Sequence, residues 1–242
     1  MNRDELSLIR NQQLKDFPEL GQLEQWGKYC LLPLDIPRIE STKLISWFFE
    51  NAQAVRKVKE EKVVADIGGP PLFEAIDVSP TGRLSQPDAW DTNYRQDFLD
   101  LFPDIYEQIM EYFPFTSLDR LRIWSSIRRI PWHRDQTWFV DSPTSFRIML
   151  HDDNPIQTLK VRTKINGDYA LPRLAETNSY VWNNLRTEHG SNYVTNHRKI
   201  LIILERYSID FNRYHDLVKK SIDKHHDYAM IDQRKLADYV EL

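Results

Sequence analysis

A chain of 242 residues, 41% hydrophobic and 12% aromatic, can bury one substantial core and suits a packed globular protein rather than a disordered one. A net charge of −4 leaves no basic stripe to cover phosphates, which argues against a nucleic-acid partner held by counterion release. Cys30 is the only cysteine, so no intramolecular disulfide can form and nothing suggests a secreted, stapled scaffold.

The opening stretch MNRDELSLIRNQQLKDF is polar and charged throughout, without the apolar centre of a signal peptide. The longest apolar run, ILIIL at 200–204, is strand-sized, against the roughly 20 residues needed to span a bilayer. The expectation is a soluble cytoplasmic protein without a membrane partner. Further on, STKLISWFFENAQAVRKVKEEK (41–62) places Leu44, Trp47, Phe48, Ala52 and Val55 at helical spacing, with Ser41 or Thr42 as N-cap. Its charged tail suits a solvated helix face. GGPPLFEAIDVSPTGRLSQPD (68–88) is rich in Gly and Pro and reads as irregular connection with at most one short strand. RQDFLDLFPDIYEQIMEYF (95–113) is helical in period, and Pro103 starts a second helix there because it cannot sit in a helix interior.

From about residue 118 the period changes to two. LDRLRIWSSIRRI, TSFRIMLHDD, QTLKVRTKI, NSYVWNN and RKILIILERY are short and rich in β-branched and aromatic residues, separated by turn-like DSPT, NGD and LPR. Five or more such strands in succession predict a sandwich or barrel. In the closing stretch, Phe211, Tyr214, Leu217, Val218 and Ile222 mark one apolar helix face. The expected organisation is mainly β with flanking helices: a mixed, partly helical region over 1–117 packing on the core, the β core over 118–207, and a helical extension over 208–242.

Within PWHRDQTWFV (131–140), His133 and Asp135 stand two residues apart, and residues i and i+2 of a strand share a face. Two ligands hold a metal poorly. A third is offered by His189, just before the last apolar strand. Two histidines and one carboxylate on one side of an ion form the facial triad of non-haem Fe(II) oxygenases. Arg198 follows nine residues after His189 and shares strand parity with Ile200 and Ile202, so it is expected to face inward where they do. An inward arginine is costly unless paired with an anion, and its planar fork fits a carboxylate bidentately.

This pattern of His-x-Asp, a distant His and an Arg nine or ten residues later resembles the Fe(II)/2-oxoglutarate-dependent dioxygenases over roughly residues 118–206. ETNSYVWNNLRTEHGSNYVTNHRKILIILE, and HRD followed by SFRIML, are similar to the aspartyl/asparaginyl β-hydroxylase-like branch, which includes bacterial hydroxylases of free proline. The resemblance implies a double-stranded β-helix, that is, a jelly-roll or cupin core. It implies Fe(II) held by His133, Asp135 and His189, and the distal carboxylate of 2-oxoglutarate held by Arg198. Arg147 matches a family arginine near co-substrate or substrate, although Met149 stands where some members carry a histidine. O2 and 2-oxoglutarate would be consumed, with release of succinate and CO2. Asp135 stands where related halogenases lack the carboxylate, which points to hydroxylation. The implied substrate is a free amino acid or an amino-acid side chain in a peptide or protein, and arginines 128, 129, 147, 162 and 173 suit a carboxylate-bearing molecule.

The alternative is a cupin-type metal-binding sensor without turnover, which leaves Arg198 without a role. Trp124, Trp132, Trp138, Tyr180 and Trp182 read as core before they read as pocket lining. His225 and His226, between Asp223 and Asp227, read as a solvated helix face rather than a second metal site.

Overall fold

The computed structural model describes residues 29–55, 73–82, 93–126, 130–133, 144–152, 157–163, 167–183, 188–191 and 199–231. The first strand, β1 (Tyr29–Pro33), leads into helix α1 (Thr42–Asn51). Ser41 caps α1, its hydroxyl accepting from the Leu44 N–H at 3.0 Å. Leu44 and Phe48 carry the buried face, and full burial of each is worth about 1.5–3 kcal/mol. The helix stops well short of the predicted residue 62. Ala52 turns extended, its N–H closing on the Phe48 carbonyl, and Val55 pairs with Phe73 as part of β2 (Gln53–Val55). Residues 56–62 lie outside the described residues.

The short strand that the Gly/Pro-rich stretch allowed is present. β3 (Phe73–Val78) is a six-residue strand inside a sheet, with β5 (Phe115–Ser126) on one side and β2 on the other. β4 (Asn93–Arg95) also runs beside β3, in parallel. Two helices follow, α2 (Phe98–Leu101) and α3 (Pro103–Tyr112), with Pro103 in the first turn of α3 as expected.

Beyond β5 come β6 (Ile130–His133), β7 (Thr144–Asp152), β8 (Gln157–Thr163), β9 (Gly167–Pro172), β10 (Ser179–Asn183), β11 (Glu188–Ser191) and β12 (Lys199–Ile209). Helix α4 (Phe211–His225) and the two-residue β13 (Met230–Ile231) close the described chain. Among the described residues the strands form a nine-stranded sheet, in the order β13-β1-β10-β7-β12-β5-β3-β2 with β4 beside β3, and a four-stranded sheet ordered β6-β11-β8-β9. From β5 to β12 the chain passes back and forth between the two. The resulting orders, β5-β12-β7-β10 and β6-β11-β8-β9, are those of a jelly roll, the double-stranded β-helix. β9 was not foreseen, because its ends were read as turns. Its Pro172 is tolerated because β9 is a sheet edge, where one N–H fewer breaks no ladder.

One face of the large sheet is apolar along its length. Ile76, Val78, Leu121, Ile123, Phe146, Ile148, Ile200, Ile202 and Leu204 join a single core with Phe48 of α1, Ile105 and Ile109 of α3, and Leu217 and Val218 of α4. Phe146 is its aromatic hub, with the rings of Phe113, Phe115, Tyr207 and Tyr214 at 5.7, 5.3, 5.5 and 6.0 Å. Each such pair adds about 0.5–1.5 kcal/mol beyond its buried area. Tyr207 reaches that hub because Arg206 takes a left-handed conformation, φ 47°, which shifts the alternation of β12 by one residue. Arg213 of α4 ties the end of α3 to this layer, its guanidinium donating to the carbonyls of Met110, Glu111, Phe113 and Phe115 at 3.2, 2.7, 2.8 and 3.3 Å. No helix among the described residues is long and apolar enough to cross a membrane.

Candidate functional site

The helices cover one face of the large sheet, so its other face is the one a jelly roll turns toward the small sheet. Register defines that inner face. Asp77 stands opposite Arg122, Arg122 opposite Ile203, Ile203 opposite Arg147, and Arg147 opposite Tyr180, a single row across β3, β5, β12, β7 and β10. Directly opposed residues of an antiparallel pair share a face. The apolar outer face and this charged inner face alternate along the same strands, the period-two pattern of a sheet with unlike environments on its two sides.

Four charges lie together on the inner face. Asp77 is fully buried and accepts from Arg120 and Arg122, each at 2.7 Å. Glu205, opposite Arg120 in register, approaches the same two guanidiniums at 3.5 and 3.7 Å. Cations and anions alternate here, as burial requires, since an unpaired charge in a dry interior costs several kcal/mol. Sequence reading missed this quartet. Asp77 lies 43 positions from Arg120, and a pairing at that range leaves no local signal.

Arg147 is buried, and its guanidinium donates to the Phe146 carbonyl at 3.1 Å. Burial pushes the Tyr180 phenol above the ordinary tyrosine range; Arg147 opposes the shift and Asp152 adds to it. Tyr180 therefore stays a neutral hydroxyl beside a fixed cation. A small cleft opens at the C-terminal end of β7, lined by Arg38, His151, Asp152, Arg173, Asn178 and Tyr180, where Arg173 donates to the Asp152 carbonyl.

The two histidines singled out from the sequence fall on neighbouring strands of the small sheet. His133 ends β6, His189 lies in β11, and the two are direct register partners. The pairing is irregular just beyond them, between His189 and Ser191, the kind of local bulge that re-aims a strand end. Asp135 and Arg198 lie outside the described residues. Ile200 and Ile202, whose parity Arg198 shares in the sequence, belong to the core under the helices, whereas Arg147 pairs with Ile203 on the opposite face. Parity with Ile200 and Ile202 thus does not lead to the inner face.

Tyr180 is buried and Trp124 half-buried on the inner face, while Trp138 lies outside the described residues. The run 223–227 departs from its predicted solvation. His226 is exposed, but His225 is buried in the last turn of α4, with Nδ1 3.7 Å from Glu176. Burial is the main influence on His225 and holds its pKa below the ordinary value of 6.5; Glu176 and Asp35 act the other way, and Lys224 reinforces burial.

No protein-family model matches this chain, and no curated protein matches it either. Solved structures similar to it include an oxidoreductase of the 2-oxoglutarate–Fe(II) oxygenase family from Burkholderia pseudomallei, 14% identical, covering 68% of this chain and 76% of that one with a TM-score of 0.40. A prolyl-4-hydroxylase from Pseudomonas putida is 12% identical, covering 77% of this chain and 97% of that one with a TM-score of 0.40. A prolyl hydroxylase from Trichoplax adhaerens, in complex with a peptide fragment of the oxygen degradation domain of hypoxia inducible factor, is 9% identical, covering 86% and 94% with a TM-score of 0.45.

Proposed function

We propose that the protein is an Fe(II)/2-oxoglutarate-dependent oxygenase that hydroxylates a C–H bond of a free amino acid, or of an amino-acid side chain in a peptide or protein, in the manner of the aspartyl/asparaginyl β-hydroxylase-like branch. The observation that carries this reading is the register pairing of His133 with His189 inside a jelly roll. Opposite positions of an antiparallel pair bring Cβ atoms within about 4.5–5.5 Å on one face, a spacing that suits two neighbouring ligands of one ion. Asp135, two residues after His133, supplies the carboxylate that completes a two-histidine, one-carboxylate set.

In this reading His133, Asp135 and His189 hold Fe(II), and Arg198 holds the distal carboxylate of 2-oxoglutarate. When bound, iron with 2-oxoglutarate and O2 supplies the C–H oxidation, and succinate and CO2 leave. The chain's own residues bind, orient and exclude water. The inner face of the large sheet, with Arg147 beside the neutral Tyr180, is the wall against which a carboxylate-bearing molecule is placed. The catalytic core is residues 118–207, carried by the regions before and after it.

The test is turnover in anaerobically purified protein loaded with Fe(II) and 2-oxoglutarate and then exposed to O2. Succinate that forms in the wild type and disappears in His133→Ala is the expected result. Absence of succinate, together with absence of a 2-oxoglutarate-dependent visible charge-transfer band, overturns the reading and leaves a metal-binding sensor in its place.

A further inference from the structure

His225 sits in the last turn of α4 with its side chain 1% exposed, and neither ring nitrogen has a hydrogen-bond partner among the described residues. A neutral imidazole carries one donor and one acceptor, so both go unanswered. Three charged side chains face the ring. Glu176, in the segment before β10, stands 3.7 Å from Nδ1, Asp35 follows β1, and Lys224 precedes it on α4. The two carboxylates favour an imidazolium and Lys224 opposes one. Glu176 is 45% exposed and Asp35 already pairs with Lys224, so solvent and that pairing weaken their help. Burial remains the largest influence, and a charged His225 is better placed in water than in its present seat.

The anchors on each side decide which wall of the seat gives way. Segment 174–178 is tied down firmly. Arg38 donates to the carbonyls of Leu174 and Thr177 at 2.9 and 3.5 Å. The Asn178 amide accepts from the Ile39 N–H at 3.0 Å and donates to the Ile39 and Met149 carbonyls at 2.7 and 2.8 Å. On the other side, α4 is pinned to the turn after β1 by Ser221, whose hydroxyl accepts from the Asp35 N–H at 2.8 Å. Beyond Ser221 the anchors thin out. The Lys224–Asp35 pair is part-exposed, and such pairs are worth about 0–1 kcal/mol. His226, Asp227 and Tyr228 are exposed, and β13 is two residues long and pairs irregularly with β1. His225 and Met230 are the buried side chains of this stretch.

We propose that residues 222–231 form a proton-released strap: acid charges His225, the end of α4 lifts away from Glu176 and Asp35, and β13 leaves the outer edge of β1. The large sheet then ends at β1, whose outer backbone groups lose their partners, the kind of edge that folded proteins keep covered. At neutral pH the uncharged ring stays seated and the edge stays closed. The strap does not depend on the oxygenase reading.

Hydrogen exchange read by mass spectrometry on the full chain, at pH 7.5 and pH 5.5 and corrected for intrinsic exchange rates, tests it. Peptides over 222–231 and over β1 are expected to open several-fold more at the lower pH. The ceiling is about tenfold, because one proton taken up on release shifts the opening equilibrium by that factor one unit below 6.5. Peptides over β7 and β12 should keep their protection. His225→Phe leaves a ring in the seat that takes no proton, and should open equally at both pH values. His226→Gln, the exposed neighbour, should respond as the wild type does. Equal opening of 222–231 at both pH values in the wild type overturns the proposal, as does acid-driven opening spread evenly over the sheet. An unchanged acid response in His225→Phe, or its loss in His226→Gln, overturns it equally. The wild-type pattern can refute the strap without any variant, so a misfolded His225→Phe does not shelter it.

Discussion

His133 and His189 are direct partners across β6 and β11, although a whole circuit of the jelly roll separates them in sequence. In the proposed iron site this backbone pairing sets the separation of the two positions before any ion arrives, and preorganisation of that kind raises metal affinity. Alanine at either position is expected to lower Fe(II) affinity by about 10–100-fold or more, the range already seen for groups that merely support metal ligands. Because the two act as one unit, the double variant should fall little further than the worse single variant. Iron content after anaerobic dialysis measures this; full retention of iron by both single variants would sink the assignment.

Arg213 gives a prediction about stability alone. Its guanidinium donates to carbonyls at the end of α3 and the start of β5, and those at the helix C-terminus would otherwise be left to water. Arg213 is itself exposed, so screening limits its worth. Arg213→Met, which keeps the stem and removes the donors, should cost about 1–2 kcal/mol and shift the urea midpoint with an unchanged slope. Metal binding should be untouched. A midpoint equal to wild type would mean that the four contacts contribute nothing net.

The buried His225 makes stability depend on pH. Its folded pKa is depressed, chiefly by burial, so the unfolded chain takes up a proton that the folded one refuses. Stability is therefore whole above the ordinary value of 6.5 and falls as pH drops below it, until the folded histidine itself protonates. Glu176, 3.7 Å from Nδ1, softens the fall without reversing it. His225→Gln should flatten this part of the profile. The comparison is of thermal midpoints between pH 5 and pH 8, and parallel curves for the two proteins would show that another group governs the effect.

The β half was legible because β5, β7, β10 and β12 alternate over most of their length between a helix-covered face and an inner one, and that alternation is written in the residues themselves. Pro103 and the apolar stripe of α4 were legible for the same local reason. What escaped depends on partners remote in sequence. α1 ends at Asn51 because the next residues pair with β3, a contact that outweighs the helical spacing of Ala52 and Val55. The one short strand allowed within the Gly/Pro-rich stretch is β3, and its bounds follow from pairing with β2, β4 and β5 rather than from its own residues. His133 and His189 were singled out as candidates by residue type and spacing, whereas no local signal marked Asp77 or Glu205, whose arginine partners come from register.

Asp77 carries the sharpest stability prediction. It is the fully buried anion between Arg120 and Arg122, so Asp77→Asn removes a charge that both guanidiniums contact at 2.7 Å, while Glu205 stands farther from them at 3.5 and 3.7 Å. Breaking one side of a buried pair costs about 3–5 kcal/mol, most of it the penalty of the charge left behind. The sign of the second step follows from that cause: adding Arg120→Met to Asp77→Asn removes a stranded cation and should recover part of the loss. Two independent hydrogen-bonding residues would instead show additive damage. Urea unfolding of the two single variants and the double variant decides the matter. A double variant less stable than Asp77→Asn alone would show that Arg120 earns its place by packing its stem rather than by answering the Asp77 charge.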